Sequence, residues 1–136
     1  MRNLLFLFTI VIILCGCNQS SNQQVAKNVQ EDAGEIIFLK LDKIEFGNKI
    51  QELSNAQLVD VRTPEEYSEG FIEGAQNIDY RNDSFKENIS KLNKNQPVLL
   101  YCRSGGRSGD AAEVLKDMGF LEIYDLKGGF MAWSEE

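Results

Sequence analysis

The sequence predicts an α/β domain built on a mainly parallel sheet, and three observations carry that expectation. From about Ile36 onward, short apolar runs alternate with stretches of helical periodicity. The run PVLLY at 97–101 is apolar without alternation, as suits a strand covered on both faces. No internal repeat breaks the pattern, and 136 residues leave room for one domain with a modest core.

Taken in order, IIFL at 36–39 reads as the first strand. Residues 42–53 place Ile44, Ile50 and Leu53 at roughly helical spacing, with Gly47 counting against the helix. QLVDV at 57–61 is the second strand. TPEE at 63–66 has the chemistry of a helix start: Thr63 caps, Pro64 fits the first helical position, and Glu66 returns a hydrogen bond to the cap. A short helix through Tyr67 follows. AQNID at 75–79 reads as a further short strand, 84–92 as a helix, and PVLLY as the buried strand with Cys102 at its carboxyl end. Beyond the next loop, Ala111, Ala112, Leu115 and Met118 recur at helical spacing, and Gly119 is placed to end that helix with a positive φ. EIYDL at 122–126 is the last strand, Gly128 and Gly129 a turn, and FMAW at 130–133 a closing helical turn.

Composition narrows the chemistry. Hydrophobic residues make up 43% and charged residues 26%, an ordinary globular balance. The formal charge of -7, from 14 basic and 21 acidic residues, argues against a nucleic-acid surface, so an anionic ligand must be held by local groups. Histidine is absent, which excludes a thiol–imidazole pair, a histidine general base and histidine metal ligands.

The first residues, MRNLLFLFTIVIILCGC, combine one charge at Arg2, an apolar run over 4–14 and small residues closing on Cys17. That is the pattern of a secretory signal. Eleven residues are too few for a bilayer core of roughly 30 Å, which needs about 20 in a helix. The ending LCGC resembles the lipobox of bacterial lipoproteins, which implies cleavage after residue 16 and acylation of Cys17. The expected organisation is a signal peptide at 1–16, a lipidated polar tether at 17–35 and a globular domain at 36–136, anchored to a bacterial membrane in the cell envelope. With Cys15 removed and Cys17 acylated, Cys102 is the only free thiol expected in the mature chain.

That thiol opens the stretch CRSGGRS at 102–108. A cysteine between a strand and a helix N-terminus meets unpaired backbone N–H groups and the positive end of the helix dipole, both of which favour the thiolate. Arg103 and Arg107 add fixed positive charge. Gly105 and Gly106 let the loop curl its amides around one point. The expected product is a small anion cradle with sulfur at its centre, in the position where open α/β sheets bind ligands.

CRSGGRS resembles the active-site loop of the rhodanese family, single-domain sulfurtransferases. LVDVRTPEEYSEGFIEGAQNI at 58–78 resembles the family's upstream signature, and LKGGFMAW at 126–133 its C-terminal one. The resemblance covers roughly residues 57–133. It implies a five-stranded parallel sheet flanked by helices, with the active-site loop at the C-terminal end of a central strand. It also implies that Cys102 is the nucleophile and becomes a persulfide. The amides of Arg103, Ser104, Gly105, Gly106, Arg107 and Ser108 then hold the terminal sulfur, and the two arginines attract an anionic donor. Asp60 and Arg62 fit a buried ion pair that supports the loop, Gly128 and Gly129 are turn formers, and Trp133 belongs to the core. One departure is Phe71, where the family commonly has histidine; it touches local packing rather than the reaction.

The implied reaction is transfer of a sulfane sulfur from thiosulfate or a similar donor to a thiol or cyanide, without cofactor or metal, by a monomer. Two like unit charges at 4 Å repel by about 4 kcal/mol at an effective dielectric of 20, which two guanidiniums can cancel. Sulfite is a weakly basic leaving group and the nucleophile is already ionised, so no general base is needed. One rival is a non-enzymatic sulfur carrier or partner-binding module of the same fold. Another is a thiol phosphatase or arsenate reductase, whose loops place an arginine six residues after the cysteine; here that position is Ser108.

Overall fold

The computed structural model describes residues 35–135. The signal-like segment, Cys17 and nearly all of the tether lie outside the described residues.

Strand β1 (Ile37–Leu41) leads into α1 (Lys43–Glu52), whose N-cap Asp42 accepts from the N–H groups of Ile44 and Glu45 while Glu45 bonds back to the cap. Next come β2 (Gln57–Asp60), α2 (Pro64–Ser68), the two-residue β3 (Gln76–Asn77) and α3 (Phe85–Ile89). Strand β4 (Val98–Tyr101), α4 (Gly106–Asp117), β5 (Glu122–Leu126) and α5 (Gly129–Ser134) complete the domain. The sheet has five strands in the order β1-β5-β4-β2-β3, every pair parallel. The fold is thus the α/β class the sequence predicts.

Parallel strands need both faces covered, and β4 shows how one run of four residues meets that need. Val98 and Leu100 enter a cluster with Phe85, Ile89, Ala111, Ala112 and Leu115, from α3 and α4. Leu99 and Tyr101 turn the other way, toward Phe46 of α1, with Phe130 and Trp133 of α5 packed on that cluster. All four β4 residues are fully buried, which fixes the strand's register and hence the position of Cys102 just beyond it.

Several element boundaries differ from expectation: β1 runs to Leu41 and β3 shrinks to two residues, and three helices change as well. Helix α3 stops at Ile89, because the N–H groups of Lys91 and Leu92 bond carbonyls only three residues back. Helix α4 begins at Gly106, inside the cysteine loop, since Gly105 takes a left-handed φ of 97° and turns the chain into the helix. Gly129 opens α5 rather than ending a turn.

Candidate active site

Cys102 lies one residue past β4 and is 1% exposed, at the base of a cleft of about 540 Å³. The Gly105 N–H donates to its Sγ at 3.1 Å, and the Ser108 hydroxyl donates to it at 3.6 Å. Burial pushes the thiol pKa up. Bonds from the Ser108 side chain and from the backbone of Ser108, Ser104 and Gly105 outweigh that, and the net position is below the ordinary thiol value. The early start of α4 favours this, because its first-turn amides have no helical acceptor and that of Ser108 is free to bond the sulfur.

The loop is held from behind by α5. The Phe130 N–H donates to the Cys102 carbonyl at 2.7 Å and the Met131 N–H to the Arg103 carbonyl at 3.0 Å. This approach explains the second glycine of the pair. A Cβ on Gly129, whose φ is +61°, would stand 2.5 Å from the Cys102 oxygen and 2.6 Å from the Arg103 carbonyl carbon.

Beneath the loop, Asp60 and Arg62 form the buried ion pair the sequence suggests, at 0% and 4% exposure. Arg62 Nε contacts both carboxylate oxygens at 3.0 and 2.9 Å, and Nη2 reaches Oδ2 and the Gly70 carbonyl, each at 2.6 Å. The guanidinium lies 4.1 Å from the Phe130 ring centroid, so the pair ties the end of β2 to α5. Burial pulls the Arg62 pKa down, but Asp60 overcomes this and holds the charge. Phe71 is exposed and stacks on Tyr67 at 4.4 Å between centroids, a surface contact away from the thiol's own bonds.

Two arginines were expected to face the donor, and they are placed differently. Arg103 is exposed at the cleft. Arg107 instead donates from Nη1 and Nη2 to the two oxygens of Glu66 at 2.6 and 2.7 Å. That bond is the main reason the Glu66 carboxyl falls to a pKa of about 2. Glu66 also keeps its capping role, accepting from the Thr63 N–H at 3.1 Å. The capping pattern was legible in sequence; the pairing across 41 residues had no local signal.

Two further residues were not foreseen. Arg81, between β3 and α3, lines the same cleft as Cys102, Arg103 and Arg107. Asp125 of β5 is 1% exposed, and neither carboxylate oxygen makes a hydrogen bond. Its nearest cation is Lys40 Nζ at 3.7 Å. Burial pushes its pKa up, and Ser108 and Lys40 offset that only in part.

Comparison with known proteins agrees with this geometry. A family model described as a rhodanese-like domain matches residues 44–136. An uncharacterized protein, YqhL, of Bacillus subtilis is 46% identical over 78 residues, which is 57% of this chain and 60% of that protein, so the match spans less than two thirds of that relative's length. The thiosulfate sulfurtransferase GlpE of Shewanella oneidensis is 33% identical over 87 residues, covering 64% of this chain and 84% of the relative. Among solved structures, a rhodanese-like domain protein from Staphylococcus aureus superposes with a TM-score of 0.63 at 34% identity, covering 71% of this chain and 92% of that one.

Proposed function

The chain belongs to the rhodanese-like domain family, and from that premise we propose that it is a sulfurtransferase working through a Cys102 persulfide. The donor is thiosulfate or a similar anionic sulfane compound, and the acceptor is a thiol or cyanide. The observation that carries this reading is the Gly105 N–H directed at Cys102 Sγ at 3.1 Å, in a loop that also lowers the thiol pKa.

The thiolate attacks the outer sulfur of the donor. A bond forms between Sγ and that sulfur, the donor S–S bond breaks, and the electron pair leaves with sulfite. The transferred sulfur then carries the negative charge, and amides of the loop stabilise it; the Gly105 N–H bond to Sγ supports this. An acceptor thiolate or cyanide attacks the same sulfur and returns Cys102 to its resting state. No proton transfer is needed in either displacement.

The name of the Shewanella relative, a thiosulfate sulfurtransferase, supports the donor class. The LCGC sequence supports attachment through Cys17 to a membrane of the cell envelope. The test is incubation of the full chain with thiosulfate, a thiosulfonate, an organic persulfide and a phosphate ester, followed by intact mass and turnover with cyanide. One extra sulfur on Cys102, released by cyanide, is the expected result. An adduct that no small acceptor removes would favour sulfur carriage, and phosphate release without an adduct would favour the phosphatase reading.

A further inference from the structure

The cleft above Cys102 is lined by Arg81, Arg103 and Arg107, with Glu66 as its one acidic residue. These charges are not equivalent. Arg107 spends both terminal nitrogens on Glu66, so that pair presents almost no net charge to a ligand. Among the described residues, the guanidiniums of Arg81 and Arg103 enter no ion pair and no hydrogen bond. Arg103 belongs to the cysteine loop itself. Arg81 comes from a different segment, the connection between β3 and α3.

Its backbone is fixed. The Tyr80 N–H donates to the Val61 carbonyl at 3.2 Å, the Arg81 N–H donates to Asp79 Oδ1 at 2.9 Å, and Phe85, four residues on, is buried in the core. A long exposed cation on an anchored turn, lining the same open cleft as the Cys102 loop, can meet the part of a donor that does not transfer.

We propose that Arg81 is a specificity-determining residue that binds the anionic end of the sulfur donor, a sulfonate or carboxylate, in the place the sequence assigns to Arg107. This rests on the sulfurtransferase reading for its substrate class. In the displacement, Cys102–S⁻ and S–SO₃²⁻ become Cys102–S–S⁻ and SO₃²⁻, so charge gathers on the sulfonate as the S–S bond breaks. A guanidinium at that end favours the leaving group over the bound donor and screens the approach of like charges. Donors without an anionic group gain nothing from it.

The test compares alkylation of Cys102 by anionic iodoacetate and neutral iodoacetamide in the full chain, read by mass spectrometry of the peptide that contains Cys102. The ratio of the two rates cancels the thiolate fraction and reports the field that an anion meets. Arg81→Ala should lower the iodoacetate to iodoacetamide ratio about fivefold at low salt, the weight of one unit charge roughly 4 Å away in high dielectric. Arg81→Lys should restore most of it, the loss should shrink with added salt, and Lys86→Ala on the surface of α3 should leave it unchanged. KM for thiosulfate should rise by a similar factor in Arg81→Ala, with turnover of a neutral sulfane donor unaffected. An unchanged ratio in Arg81→Ala, or an equal fall in Lys86→Ala, overturns the assignment. If wild type takes up no sulfur yet its ratio still depends on Arg81, the sulfurtransferase reading is lost and the anion site at Arg81 stands.

Discussion

Arg107 and Glu66 meet across 41 residues through two hydrogen bonds of 2.6 and 2.7 Å, joining the first turn of α4 to the first turn of α2. The pair stands at the edge of the cleft that holds Cys102 and makes Arg107 a brace between two helix starts.

Glu66→Gln is therefore expected to lower KM for thiosulfate by roughly fivefold, because it removes the one acidic charge of the cleft and frees Arg107. It should also change acid stability. The Glu66 pKa is about 2 in the fold against 4.5 for the ordinary group, so its stabilisation is complete above about 4.5 and is lost as pH falls toward 2. Since the side chain is 26% exposed, that contribution is about 1–2 kcal/mol after allowance for solvent screening. Thermal melts of wild type and Glu66→Gln should converge as pH drops through that window. A constant difference would show that Glu66 acts only as the cap of α2.

Ser108→Ala is expected to raise the Cys102 pKa, since burial alone pushes the thiol up and the Ser108 bonds are first among the groups that reverse it. A hydrogen bond to a charged group contributes about 1.5–3 kcal/mol, and the longer contact to sulfur less, so labelling near neutral pH should slow by roughly three- to tenfold. The pH profile of iodoacetamide labelling at Cys102 measures it. The deficit in rate should vanish at high pH, where both thiols are ionised.

Gly129→Ala should destabilise the domain by about 2–4 kcal/mol, combining a left-handed backbone with a methyl driven into the Cys102 and Arg103 carbonyls. Gly106→Ala, whose added methyl would meet nothing within 4 Å, should change stability by no more than about 0.5 kcal/mol. In a domain of this size 1 kcal/mol moves Tm by about 4–8 °C, so calorimetry separates the two readily.

Asp125→Asn is expected to stabilise the protein, increasingly as pH rises. The unfolded chain releases this proton near the ordinary value of 3.8, while the fold holds it to higher pH because the charged form is buried without a hydrogen bond. Stability from this group is therefore unaffected below about 3.8 and falls as pH rises through the folded pKa; the amide has no such loss. Urea midpoints of the two proteins should separate between pH 4 and pH 8. Parallel curves would mean that Lys40 neutralises the carboxylate fully.

Much of this molecule could be read from local pattern. The capping box of Thr63 and Glu66, the strand PVLLY, the positive φ of Gly119 and the thiol at a strand-to-helix junction depend on neighbours within a few residues, and short-range backbone chemistry fixes them. The buried pair of Asp60 and Arg62 also spans only two residues. The end of α3 and the start of α4 were harder, because three-residue backbone turns after Ile89 and a left-handed Gly105 outweigh side-chain periodicity at helix boundaries.

The sequence by itself determined the fold class, the order of the elements and the place of Cys102 between a strand and a helix, since apolar spacing dictates which face of each element is buried. The tertiary structure alone decided which charges meet between segments far apart in the chain. Glu66 is drawn to Arg107, Arg81 arrives at the cleft from another connection, and Asp125 is buried with Lys40 alone, among the described residues, within ion-pair reach. Coulomb energy depends on distance and on exclusion of water, and neither is set until the sheet has brought β2, β4 and β5 side by side.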